Sequence, residues 1–252
     1  MRLPGLPSPL LLATLLLGCT APSDPGFAAD DDDSADPAPC PPAYDDGGEY
    51  GAFAVRGWPV QMRRELLEDD TELGCAVLAH LDGDLATIEG ALGPDRTARL
   101  RGLTIWIEVA LPQFPGAVYH PSAQWLADNG YPPAWAEGIQ LGNATNYLAW
   151  TDVQPAMVLH ELSHAWHHQV IGYDDPAVLA AYDDAMAASL YDAVEYADGS
   201  TQEAYATNNV QEYFAELSEA WFWRNDFEPF DRDGLLAFDP LGAAAVEAAW
   251  AP

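Results

Sequence analysis

Lysine is absent from this chain, and its nine arginines face 40 acidic residues. The formal charge of −31 argues against a nucleic-acid partner, because phosphate backbones are held by clustered basic side chains. It argues equally against docking on an anionic lipid surface by charge alone. Such acidity suits solubility in an extracytoplasmic or saline setting. Long apolar runs are missing too. Leu10 to Leu17 is the longest near the start, and it is too short to span a bilayer as a helix. Cysteine is scarce: Cys19, Cys40 and Cys75 make up the whole supply.

What is there begins with a leader. Arg2 precedes the apolar run, which ends in Leu17, Gly18 and Cys19. This ending resembles the lipobox of bacterial lipoproteins. The resemblance implies a signal peptide over residues 1–18 and a lipid on Cys19. The protein would then be extracytoplasmic, held at a membrane or cell surface through that lipid alone. An ordinary cleaved signal peptide and a secreted protein are the alternative. Cys40 and Cys75 remain, and in an oxidising compartment they could pair. Two free thiols are the other reading.

Residues 19–48 are rich in Pro, Asp, Ala and Gly and have little to bury, so they read as a solvated tether. The run Asp30 to Asp33 lacks the spaced ligands and glycine turn of a calcium loop. Residues 49–252 are long enough for one globular domain, expected to be a monomer. Residues 59–92 show mixed helical spacing and predict one or two helices. Residues 100–111 alternate and are rich in β-branched and aromatic types, so they predict the best strand. Residues 137–143 predict a weaker one, either an ordinary structural strand or one whose Ile139 and Leu141 offer a pairing edge. Residues 119–133 read as a loop by their Pro and Gly content, and His120 as a loop hydrogen-bonder. From Thr151 onward the pattern is helical. The fold class is α+β, mostly helical, with a small mixed sheet beside the helix described next.

Four of the six histidines fall between residues 160 and 168. On a helical wheel Val158, Leu159, Leu162, Ala165 and Trp166 form one apolar face. Asp152 is the expected N-cap, with Pro155 in the first turn. His160 and His164 lie off the apolar face, one turn apart, with Glu161 beside them. Imidazoles at i and i+4 can converge on one zinc, and the adjacent Glu can reach water on that metal. His168 cannot join them, because eight residues of helix span about 12 Å. His167 and His168 are expected toward solvent at the helix end.

A catalytic zinc needs a third protein ligand and an open position. In residues 205–222 Val210, Phe214, Leu217 and Trp221 make an apolar stripe, and Glu212, Glu216 and Glu219 make a separate line. Asn208 and Asn209 are a good helix start. On the residues alone, any of the three glutamates could face solvent or metal, and Tyr205 could be a half-buried core tyrosine.

The two stretches together resemble the gluzincin zinc metallopeptidases, most closely those with a catalytic domain of the anthrax lethal factor type. The resemblance rests on His160, Glu161 and His164, then Tyr205, Asn209, Glu212, Phe214, Ala215 and Glu216 in matching register, and covers residues 155–223. It implies a zincin-like fold with one catalytic zinc on His160, His164 and Glu212. It implies Glu161 as general base and Tyr205 as oxyanion donor. Glu216 would accept a hydrogen bond from a ligand histidine, His160 being the expected one. The implied activity is endopeptidase hydrolysis of a peptide or protein substrate by a zinc-activated water. The alternative is a catalytically silent, lipid-anchored binding protein on the same fold.

Overall fold

The computed structural model describes residues 39–251. The leader, Cys19 and most of the tether lie outside the described residues. The described chain is held from Cys40 on, upstream of the domain start expected at residue 49. Cys40 forms a disulfide with Cys75, and the Tyr44 hydroxyl donates to Glu68 at 2.7 Å.

Alternation builds the first part of the sheet. Strands β1 (Asp45–Asp46), β2 (Tyr50–Val55) and β3 (Trp58–Arg63) run antiparallel, and β3 turns Trp58, Val60 and Met62 into the core while the residues between them face outward. The hairpin β2–β3 was not expected, and β3 corrects the helical reading of residues 59–63, so that helix begins only at Arg64. Helix α1 (Arg64–Glu68) leads into the long α2 (Thr71–Leu100), whose Val77, Leu81, Leu85, Ile88 and Leu92 recur at helical spacing and are fully buried. α2 is interrupted at Gly93, where φ of 75° suits glycine and Pro94 follows.

The expected strand in 100–111 is β4 (Ile105–Ile107). After β5 (Ala117–Tyr119) and α3 (Ala123–Asp128) comes β6 (Ile139–Leu141). The sheet order is β1-β2-β3-β4-β6-β5, with β3, β4 and β6 parallel and β5 antiparallel at the edge. This corrects the expectation for Ile139 and Leu141. β6 is paired on both sides and both residues are buried, so the free edge belongs to β5, which enters the stretch read as loop only at Tyr119.

Helices make up the rest: α4 (Ala144–Ala149), α5 (Met157–Trp166), α6 (Pro176–Ala187), α7 (Val210–Phe222), α8 (Arg232–Phe238) and α9 (Pro240–Ala249), with a hairpin of β7 (Val194–Glu195) and β8 (Thr201–Gln202). α5 begins at Met157 with Ala156 as its cap, so Asp152 is not the N-cap and Pro155 precedes the helix. Its apolar face is buried as expected, and Trp166 stacks on Trp250 at 4.3 Å. The architecture is α+β. Among the described residues no helix is long and apolar enough to cross a membrane.

Candidate metal centre

Two helices position the centre. Burying Val158, Leu159 and Leu162 against the core turns His160 and His164 toward α7. α7 is started by Asn209, whose side chain accepts from the amides of Gln211 and Glu212 at 3.0 Å each. That cap places Glu212 in the first turn, facing α5. Glu212 Oε2 stands 3.0 Å from His160 Nε2 and 3.0 Å from His164 Nε2. One oxygen thus bridges both imidazoles, and the three donor atoms lie within 4.8 Å of one another. Two imidazole nitrogens and a carboxylate form a donor set that suits zinc.

Glu161 points from α5 toward the sheet edge. Its Oε2 accepts the amide of Tyr119 in β5 at 2.6 Å, tying the edge strand to the helix. The Tyr119 hydroxyl meets His168 Nδ1 at 2.9 Å and accepts from Gln169 at 2.9 Å, a second tie beyond the end of α5. Tyr205 lies in a single 3-10 turn before α7, about half exposed, its ring centroid 6.2 Å from that of His160. All of these groups except His168 and Gln169 line one open cavity of about 990 Å³, together with Tyr173, Tyr196 and Trp150.

Behind His160 the arrangement departs from expectation. Glu219, not Glu216, takes the second ring nitrogen: its Oε1 is 2.5 Å from His160 Nδ1, whereas Glu216 Oε1 is 4.0 Å away. Residues i+4 and i+7 share a helix face, so both glutamates look toward α5, and the way the helices cross selects the farther one. A hydrogen bond from Nδ1 to a carboxylate fixes the tautomer in which Nε2 would offer its lone pair to an ion.

His167 also departs from expectation. It is fully buried, against Phe214 and Tyr173, and neither ring nitrogen has a partner among the described residues. Seven residues after His160 it returns to the same side of the helix, and α7 covers that side. His120 lies outside helix and strand and is hydrogen-bonded to Gln140 at 3.0 Å, as expected of a loop hydrogen-bonder, and it is buried.

No protein-family model matches the chain, and no curated protein or solved structure matches it. The site therefore stands on its own geometry.

Its electrostatics follow from burial among like charges. Burial opposes the charging of His160, yet the hydrogen bonds to Glu212 and Glu219 outweigh it and hold its pKa well above the ordinary value. Burial raises Glu212, but the two imidazoles more than reverse this and hold its carboxyl well below the usual range. Burial, then the charges of Glu219 and Asp226, push Glu216 well up. Burial pushes Glu219 up to about 7 despite its bond to His160. Asp226 is raised too, mainly by burial. The Tyr205 phenol is raised by burial and then by Glu212, so it keeps its proton at neutral pH.

Proposed function

We propose that the chain is a zinc-dependent hydrolase of peptide bonds of the gluzincin type, working outside the cytoplasm and anchored through a lipid on Cys19. The observation that carries this is the meeting of His160, His164 and Glu212 from two helices inside an open cavity that also holds Glu161. His160, His164 and Glu212 would hold the ion. When bound, zinc lowers the pKa of a water toward neutrality and polarises a carbonyl.

The chain's own residues do the rest. Glu161 takes a proton from the attacking water and delivers it to the leaving amine. The amide of Tyr119 holds one of its oxygens and leaves the other free for this traffic. Tyr205 donates its phenol proton in a hydrogen bond to the developing oxyanion. The free edge of β5, whose Ala117, Val118 and Tyr119 line the cavity, pairs with an extended peptide. The disulfide between Cys40 and Cys75 fits an oxidising compartment.

The test is zinc analysis and a quenched-peptide library on wild type and Glu161→Gln. One zinc per chain in both proteins, with cleavage lowered by about 10²–10⁴-fold in the variant, is the expected result. One tight zinc with no cleavage of any peptide by wild type would replace the hydrolase with a metal-holding binding protein.

A further inference from the structure

The metal centre uses only part of the cavity. Glu216, Glu219 and Asp226 also line it, and all three are almost wholly buried. The oxygens of Glu216 and Glu219 lie with His160 inside a 4.8 Å group. Asp226 is held by Gln154, whose side-chain amide donates to Oδ2 at 3.0 Å. Glu216 Oε2 has no hydrogen-bond partner among the described residues. Among the described residues no arginine pairs with any of the three. The described residues that line the cavity include six carboxylates (Glu161, Glu212, Asp198 and these three) and neither Arg nor Lys. A buried carboxylate oxygen without donor or counter-ion costs several kcal/mol and is retained where a ligand completes it.

We propose that this recess receives a cationic side chain of the substrate, arginine in preference to lysine. The inference rests on the hydrolase reading and names its substrate class. The head group meets Glu216 and Asp226, and the alkyl stem lies on the half-buried Met157, Trp150 and Phe227, which line the same cavity. Arginine is favoured because its planar, weakly hydrated guanidinium forks onto carboxylates and stacks on aromatic rings. A second metal ion is the weaker occupant. His160 would have to serve it through Nδ1, and that atom already faces Glu219 at 2.5 Å. A neutral imidazole has one lone-pair nitrogen, which the first ion takes.

The test reads binding and does not depend on turnover. Zinc-loaded Glu161→Gln protein is titrated in a calorimeter with an acetylated pentapeptide amide of alanines bearing a central arginine. The same peptide with citrulline, a neutral isostere, is the control. Arginine should bind at least about tenfold tighter. In the Glu161→Gln background, Asp226→Asn should shrink that ratio to about threefold or less, and Glu216→Gln should do the same if the first variant fails to fold. Equal affinity for the two peptides would overturn the pocket, as would an arginine preference that survives both substitutions. A second tight zinc per chain that disappears in Glu216→Gln would assign the recess to metal and overturn it as well. If wild type cleaves nothing, the hydrolase reading falls while this comparison still decides the pocket. If wild type cleaves without favouring basic residues, the pocket falls alone.

Discussion

Two sets of buried carboxylates in this molecule are handled in opposite ways. In the sheet, Glu108 is about 1% exposed and fully answered: Arg63 Nε lies 2.8 Å away, the Tyr50 hydroxyl donates at 2.5 Å and Gln140 at 3.3 Å. On α7, Glu216 and Glu219 are equally hidden, with Asp226 near them, and the one basic group among them is His160. A chain with nine arginines and no lysine has few cations to place. Among the described residues Arg63 is placed on Glu108 in the sheet, and no arginine lines the cavity. Burial alone therefore does not separate a structural carboxylate from one kept for binding; the presence of a fixed counter-charge does.

The sharpest way to break this contrast is at the ion. Glu212→Gln removes one of the three candidate ligands and should abolish both tight zinc binding and hydrolysis, read by zinc analysis after dialysis and by peptide turnover. Glu219→Gln should weaken zinc by about 10–100-fold, because a carboxylate on the far nitrogen of a ligand histidine orients it and raises its basicity. Glu216→Gln should weaken zinc far less, since Glu216 stands 4.0 Å from that nitrogen. If Glu216→Gln had the larger effect, the register implied by the family resemblance would hold over the observed geometry.

The next effect is on stability and has opposite signs in the two regions. Arg63→Ala strands Glu108 in the interior and should cost about 3 kcal/mol in urea unfolding of the metal-free protein. Glu216→Gln replaces a buried carboxyl whose Oε2 has no hydrogen-bond partner among the described residues and should raise the unfolding free energy, by about 1 kcal/mol. Destabilisation by both variants would mean that the α7 carboxylates are as well compensated as Glu108, and the contrast would fail.

Much of the site was legible because helices write their faces into the sequence. Val158, Leu159 and Leu162 fixed which way His160 and His164 turn, and Asn209 marked the start of α7. What was hidden depends on how elements cross. Glu216 and Glu219 share a face, so spacing could not choose between them. His167 lies on the His160 side of α5, and only the passage of Phe214 over it makes it core. The edge strand β5 is three residues long, between Pro115 and Pro121, too short for alternation to show. Its role appears only through Tyr119 and Glu161, 42 residues apart.

His167 supplies the smallest and most selective test, because it is a buried ionisable group that escapes the problem by staying neutral. Burial first, and then the nearby His164, depress its pKa to about 4 from an ordinary 6.5. Below about pH 6.5 the unfolded chain therefore takes up a proton at this residue that the folded chain refuses, so stability falls as pH falls toward 4. Between pH 7 and pH 5.5 this single group should lower the unfolding free energy by about 1 kcal/mol. Glu219, pushed up to about 7, titrates in the same range, so the measurement is the difference between wild type and His167→Phe, an aromatic replacement facing Phe214 and Tyr173. The variant should match or exceed wild type at pH 7.5 and lead by a further 1 kcal/mol or so at pH 5.5. Parallel pH profiles for the two proteins would mean that His167 finds a partner or solvent in solution. A neutral buried group would then no longer stand as the third way, beside a fixed cation and an awaited ligand, in which this chain tolerates ionisable residues in its interior.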